Sequence, residues 1–380
     1  MTTSYHGIEP PRRRAPAEVR VWDVREPLPA SFAAEWEEAL SASSHGHFAM
    51  SLDYLRWEAD HGHPSRALLL EDAGRRGAVV QRWELSRWVS GWPWRWQAVM
   101  CGSDPFSSVG MTASDAAWLH ENLCRFSGRD RVLTFLPHAP ARGVPGWVAG
   151  ATVIQGVTRS DEELFEGMEP SKRRLAKRAR GQQIEIATAE QAEDFRAFYD
   201  LQVESKRRRG LSIEGGSSSA PARGEQWREW ELPWMWLLLA RQDGQVVAGV
   251  GDGILRGGAM QGRTAAATLE ARRAGVTVLL GFEELRRGRD LGHRWFNYGG
   301  DTSFKREMSG RLGRRIRVFG WLGGGRAPRI WLMGEAALRG LRPTLARLRQ
   351  RMGLARAGVV TLAHALAELA SYRADLPVGI

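Results

Sequence analysis

Apolar positions in the first 140 residues fall into short blocks whose period changes along the chain. Val19-Arg20-Val21-Trp22 alternates at strand period, and the stretches 31–40 and 52–60 read as helices. Strands are predicted at 67–70, 78–85 and 92–100, separated by the turn signals Asp72-Ala73-Gly74 and Gly91 to Pro93. Ser114 is placed to cap a helix running to Arg125, and Arg131 to Leu136 reads as a buried strand. His138 to Gly150 is rich in Pro, Gly and Ala and reads as a linker.

The second half repeats this order. Ser160 before Asp161-Glu162-Glu163 has the form of a capping box. A basic helix is predicted over 171–180, a strand over 184–187, and a helix over 190–208 through Phe195, Phe198, Leu201 and Val203. A Gly/Ser-rich loop covers 214–225. Strands at 236–241 and 246–255 then form a hairpin around Asp243-Gly244, and 259–267 continues it. A helix over 276–289 and strands at 295–298 and 315–321 follow. In the tail Leu338, Leu341, Leu345, Leu348 and Met352 make one helical stripe. The same order twice predicts an α/β chain of two halves, each with a mixed sheet. The expected bounds are an arm at 1–15, a first domain at 16–140, a linker at 141–155, a second domain at 156–325 and C-terminal basic helices at 326–380.

Charge adds to this picture. The 380 residues carry a net +11, yet lysine occurs only at Lys172, Lys177, Lys206 and Lys305. Basic residues cluster at 171–180, at 206–209 and from Arg311 to Arg356, a pattern suited to a polyanion such as RNA or a phosphorylated cofactor. No apolar run approaches the ~18 residues that span a membrane. The two cysteines, Cys101 and Cys124, make no disulfide framework, and a cytoplasmic location is expected. The His45/His47 and His61/His63 pairs lack a carboxylate cluster beside them, so no metal site is expected.

Three segments carry a family resemblance. Phe48-Ala49-Met50-Ser51-Leu52-Asp53-Tyr54-Leu55 resembles the opening Phe-x-x-Ser-x-x-aromatic-Leu segment of FemAB-like acyltransferases, which have tandem GNAT folds. Ser171 to Ala179 resembles their basic helix. Phe296-Asn297-Tyr298-Gly299-Gly300-Asp301-Thr302-Ser303-Phe304-Lys305 is similar to their closing motif. Met308-Ser309-Gly310 departs from the aromatic-Gly pair that usually follows, and no heptad stretch marks the coiled-coil arm of the cell-wall members.

The resemblance implies two tandem GNAT-like domains and transfer of an aminoacyl group from aminoacyl-tRNA, as co-substrate, to the amine of a small or peptide-like acceptor. It implies that Lys305 lies near the donor's carbonyl or terminal phosphates, with no separate cofactor. Lysine is compact and its pKa moves on burial, properties that arginine lacks. Asp301 and Tyr298 flank the same turn and are candidates to orient the amine or move its proton, with Asp252 on the hairpin a further one. Lys172, Arg173, Arg174, Lys177, Arg178, Arg342, Arg347 and Arg349 are the expected donor-binding residues. The alternative is an acyl-CoA-dependent GNAT reaction, whose pyrophosphate loop would be Arg272-Arg273-Ala274-Gly275-Val276-Thr277; Thr277 breaks the last position of that pattern. A non-catalytic RNA-binding protein is a third reading, and the oligomeric state stays open.

Overall fold

A computed structural model describes residues 17–42, 48–61, 65–72, 75–85, 97–101, 111–127, 131–144, 146–208, 226–255 and 258–323. The arm at 1–15, the 214–225 loop, the tryptophans at 88–96 and the C-terminal stripe, with Arg342, Arg347 and Arg349, lie outside these residues.

The first half runs β1 (Glu18–Asp23), α1 (Ala30–Ala42), α2 (Leu52–Asp60), β2 (Ser65–Asp72), β3 (Arg75–Leu85), β4 (Gln97–Cys101), α3 (Ala113–Ser127) and β5 (Arg131–Leu136). Ser51 caps α2 through its hydroxyl, which accepts from the Tyr54 N–H. The cap of α3 is Thr112, not Ser114. Its hydroxyl accepts from the Asp115 N–H at 3.2 Å, while its own N–H donates to the Asp115 carboxylate at 3.1 Å.

The second half begins with β6 (Gly146–Gly156), a strand in the stretch that reads as a linker. Its glycines allow close packing: a Cβ at Gly146 would stand 2.5 Å from the Gly320 carbonyl oxygen. Then come α4 (Asp161–Gly167), α5 (Pro170–Arg180), β7 (Glu185–Thr188), α6 (Ala192–Arg208), β8 (Met235–Gln242), β9 (Gln245–Gly253) and β10 (Ala259–Ala267). The chain continues through α7 (Leu269–Ala274), α8 (Val276–Asp290), β11 (Trp295–Asn297), α9 (Ser303–Ser309) and β12 (Gly313–Gly323). The capping box at Ser160 forms as its sequence predicts. The β8–β9 turn uses Asp243 and Gly244, both with positive φ.

The two mixed sheets meet edge to edge. Among the described residues they form one sheet of order β1-β2-β3-β4-β5-β12-β6-β11-β10-β9-β8-β7. β12 makes the join, antiparallel to β5 on one side and to β6 on the other. Helices cover both faces. In the first half Trp36 and Leu55 pack on one face with Leu69, and Leu119 and Leu123 on the other with Leu68 and Leu70. In the second half α8 packs on one face and α6 on the other. One core crosses between halves, because Phe48 and Tyr54 pack with Phe198, Trp230 and Trp234. No helix among the described residues is long and apolar enough to cross a membrane.

Candidate active site

The sheet opens between β10 and β11. These strands pair in parallel only from Ala259/Trp295 to Gln261/Asn297, after which β10 continues to Ala267 and the other chain turns away. That turn, Tyr298-Gly299-Gly300, is tied to β6. The Tyr298 N–H donates to the Val153 carbonyl at 3.0 Å, and the Gly300 carbonyl accepts from the Val153 N–H at 3.2 Å. The Asn297 side-chain oxygen accepts from the Thr152 hydroxyl (2.8 Å) and the Gly299 N–H (2.9 Å), while the Thr152 oxygen accepts from the Gly300 N–H (3.2 Å). Thr302 then caps α9, whose first turn carries Lys305.

Strand register puts Asp252, opposite Gly262, on the same sheet face as Met260, Phe296 and Gln155, the face that α8 covers. Tyr298 shares that face and donates from its hydroxyl to the Gln155 side-chain oxygen at 2.8 Å; Asn297 lies on the other, as strand alternation predicts. Glu284 reaches in from α8. Asp252 is fully buried and Glu284 nearly so. Lys305 approaches from α9, half-buried, its Nζ beneath the Gly300 backbone.

Two carboxyls in one buried place cannot both ionise cheaply. Burial, then the Glu284 charge, pushes the Asp252 carboxyl well above the usual range. Burial raises Glu284 to about 7, against opposing pulls from Asp252 and the Lys305 ammonium. Burial lowers Lys305, and Glu284 partly offsets this. Burial and the Glu284 charge push the Tyr298 hydroxyl up, so it stays a neutral donor. The direction is therefore one proton and one negative charge on the carboxyl pair near neutrality, beside one ammonium. No well-formed hydrogen bond reaches either Asp252 oxygen, and the Gln155 amide nitrogen is also unpartnered. Unsatisfied donors and acceptors gathered in one buried place mark a site rather than a packed core.

Asp252 and Glu284 are the residues that join Lys305 and Tyr298 here. Glu284 escaped the sequence reading, although its signal was present: it extends the Val276–Leu280 stripe by one more i+4 step, where an apolar residue belongs. Gln155 was hidden inside the presumed linker.

The other sequence candidates lie elsewhere. Asp301 accepts from Arg306 (2.6 Å) and from Arg315 (2.5 Å), and these bonds, Arg306 first, hold its carboxyl below the usual range. That geometry makes it a strut between α9 and β12. On α5, Lys172 pairs with Glu307 at 2.9 Å and lies over the Phe304 ring, and Arg173 pairs with Glu166. Lys177 sits exposed at 5.8 Å from the Phe165 ring centroid, and Arg174 is exposed. Arg178 donates to the carbonyls of Arg273 and of Ala274 (3.3 Å). His61 bonds the Trp57 carbonyl at 2.7 Å, while His45, His47 and His63 lie outside the described residues.

The stretch 272–277 does stand at the N-terminus of α8, where backbone N–H groups and the helix dipole attract anions. α5 covers it. Gly275 has φ 92°, and a Cβ there would stand 2.7 Å from the Leu175 carbonyl oxygen. A carbonyl oxygen thus lies over the loop. Arg272 and Arg273 are exposed and Thr277 half-buried.

Residues 170–306 match a family described as an acetyltransferase (GNAT) domain. No curated protein matches the sequence. Among solved structures, FemX is similar in fold at TM-score 0.56 and 11% identity, covering 76% of this chain and 95% of its own. The C-terminal domain of a putative lysylphosphatidylglycerol synthetase from Agrobacterium fabrum matches at TM-score 0.49 and 12% identity, covering 81% and 97%. A tandem GNAT protein from the clavulanic acid biosynthesis pathway matches at 0.42 and 14%, covering 82% and 100%. The second half of the chain, over residues 170–306, carries a GNAT acyltransferase domain.

Proposed function

We propose that this protein transfers an aminoacyl group from aminoacyl-tRNA to the amine of a small or peptide-like acceptor. The observation that carries this reading is the covered N-terminus of α8. Acyl-CoA in a GNAT domain places its pyrophosphate on free N–H groups there. Here the Leu175 carbonyl packs against Gly275 and the Arg178 side chain is tied to the Arg273 and Ala274 carbonyls, so α5 crowds that position and a donor held elsewhere fits better. The three FemAB-like motifs point the same way, as does the similarity of fold to FemX.

The ester of an aminoacyl-tRNA is already activated. The protein must bring the amine to the carbonyl, stabilise the oxyanion and handle one proton. The Lys305 ammonium, at the opening between β10 and β11, is the group suited to the developing charge. Exposed Arg174 and Lys177, with the arginine-rich segment after β12, would meet donor phosphates.

The test is transfer assayed with charged tRNA or acyl-CoA, each with and without RNase. Activity with charged tRNA that RNase abolishes is expected, with binding that weakens steeply as salt rises. Lys305→Ala is expected to lose about 10²- to 10³-fold in rate while folding normally. Acyl-CoA turnover that survives RNase would overturn the tRNA reading in favour of the CoA one.

A further inference from the structure

The acceptor amine enters transfer neutral and leaves as an amide, and the ester oxygen leaves as a hydroxyl. One proton must therefore come off nitrogen and one must reach oxygen. Lys305 is the one titratable cation drawn to the buried carboxyls, since Glu284 is the charge acting on it and it in turn acts on Glu284. The cations near it are already committed: Lys172 to Glu307, and Arg306 and Arg315 to Asp301. Glu284 on α8 is the charged group acting on it, and Asp252 on β9 and Tyr298 after β11 act in turn with Glu284.

Two buried carboxyls meet one lysine here. Two ionised carboxylates beside a lysine would hold the ammonium tightly. Two carboxyls with one proton present a single negative charge spread over both groups, which holds it less tightly. Asp252 sits deepest, at 0% exposure, on a strand flanked by Gly262, with neither oxygen in a well-formed hydrogen bond and Glu284 the acid acting on it. Glu284 interacts with both Asp252 and Lys305.

We propose that Asp252 and Glu284 are positioning residues that hold one proton between two buried carboxyls, so that Lys305 faces a single negative charge and can both give and take a proton during transfer. As the amine nitrogen bonds to the ester carbonyl carbon and the carbon–oxygen bond breaks, the Lys305 ammonium protonates the departing oxygen. The neutral lysine then accepts the proton released by the new amide nitrogen. Ester and amine become amide and alcohol, and Lys305 ends as it began. Asp252 stays protonated throughout, and above about pH 7 Glu284 carries the charge.

This inference rests on the proposed function for its use of Lys305, but its test needs no donor. The chain has four lysines, so reductive methylation with ¹³C-formaldehyde gives few resonances, and Lys305→Arg assigns the one of interest. The Lys305 signal is expected to titrate below the other three. In Glu284→Gln it should move to lower pH again by about one unit or more, the scale of losing a neighbouring opposite charge. In Asp252→Asn it should stay where it is, because an amide replaces a carboxyl that was already neutral. In the transfer assay, the rate limb assigned to Lys305 should follow the same shift in Glu284→Gln. Lys305 titrating with the other lysines, or unmoved in Glu284→Gln, would overturn the proposal. A downward shift in Asp252→Asn would do so too, since it means Asp252 was ionised, and this variant decides the matter even if Glu284→Gln fails to fold. Should the titrations behave as expected while charged tRNA proves inert, the donor assignment fails and the carboxyl pair stands.

Discussion

Gly300 and Lys305 meet across the start of α9: a Cβ at Gly300 would stand 3.4 Å from Nζ of Lys305. The glycine has φ 145°, a conformation that side-chain-bearing residues avoid. It is also held at both ends, its N–H to Thr152 and its carbonyl to the Val153 N–H. The backbone cannot move aside, and an added methyl would lie against the ammonium at contact distance.

Gly300→Ala therefore joins two effects. Strain at the turn is expected to cost about 1–3 kcal/mol of stability. A methyl packed against the ammonium restricts its approach to the donor and is expected to lower the transfer rate severalfold in protein that remains folded. Chemical denaturation and single-turnover rates separate the two.

Glu284 gives the protein a pH signature. Its carboxyl is raised to about 7 in the folded state, against the ordinary 4.5 when unfolded. The folded state binds the extra proton, so this contribution is complete below about pH 4.5 and is lost as pH rises through 7. His120, buried and lowered to about 4, works in the opposite sense: its contribution is lost as pH falls from 6.5 through 4. The two partly cancel in the wild type. Comparison with Glu284→Gln isolates the carboxyl: the variant is expected to gain on the wild type by on the order of 2–3 kcal/mol between pH 5 and 8. Paired thermal melts across that range measure it.

The packing of α5 onto α8 depends on Gly275. Gly275→Ala brings a Cβ to 2.7 Å from the Leu175 carbonyl oxygen and forces a positive φ on alanine. The expected loss is about 2 kcal/mol or more. Urea titration reads it, and Gly275→Asn, better tolerated at positive φ but equally crowded, tells strain from collision.

Tyr298→Phe removes the one donor to the Gln155 side-chain oxygen and leaves both ends of a buried amide unpartnered. The expected cost is about 1–3 kcal/mol. Adding Gln155→Leu should restore part of it, giving a non-additive double-mutant cycle.

Much of the local structure was legible in the residues. Asp243-Gly244 supplies the positive φ values of a tight hairpin, and Ser160 and Glu163 spell out their capping box. Lys305 stood out as one of four lysines in a chain that uses arginine almost everywhere. What failed to show is non-local. The glycines of β6 imitate a linker, because close strand approach and loop flexibility call for the same residue. The cations of α5 looked free for a ligand, and only the fold brings Glu166, Glu307 and the Arg273 carbonyl to them. Glu284 reads as one acid among many until Asp252 arrives from β9.

β12 has a consequence for how the chain is made. The strands on either side of it, β5 and β6, are synthesised long before it. Their open edges have no partner in each other, because β12 separates them in the sheet. The Trp321 indole, which donates to the His138 carbonyl at 2.8 Å, reaches across 183 residues to do so. A ribosome releasing this protein therefore exposes two unpaired strand edges while the whole second half emerges, and such edges invite pairing with other chains. The late strand slots in like a keystone, and until it arrives the nascent chain is a natural client for a chaperone.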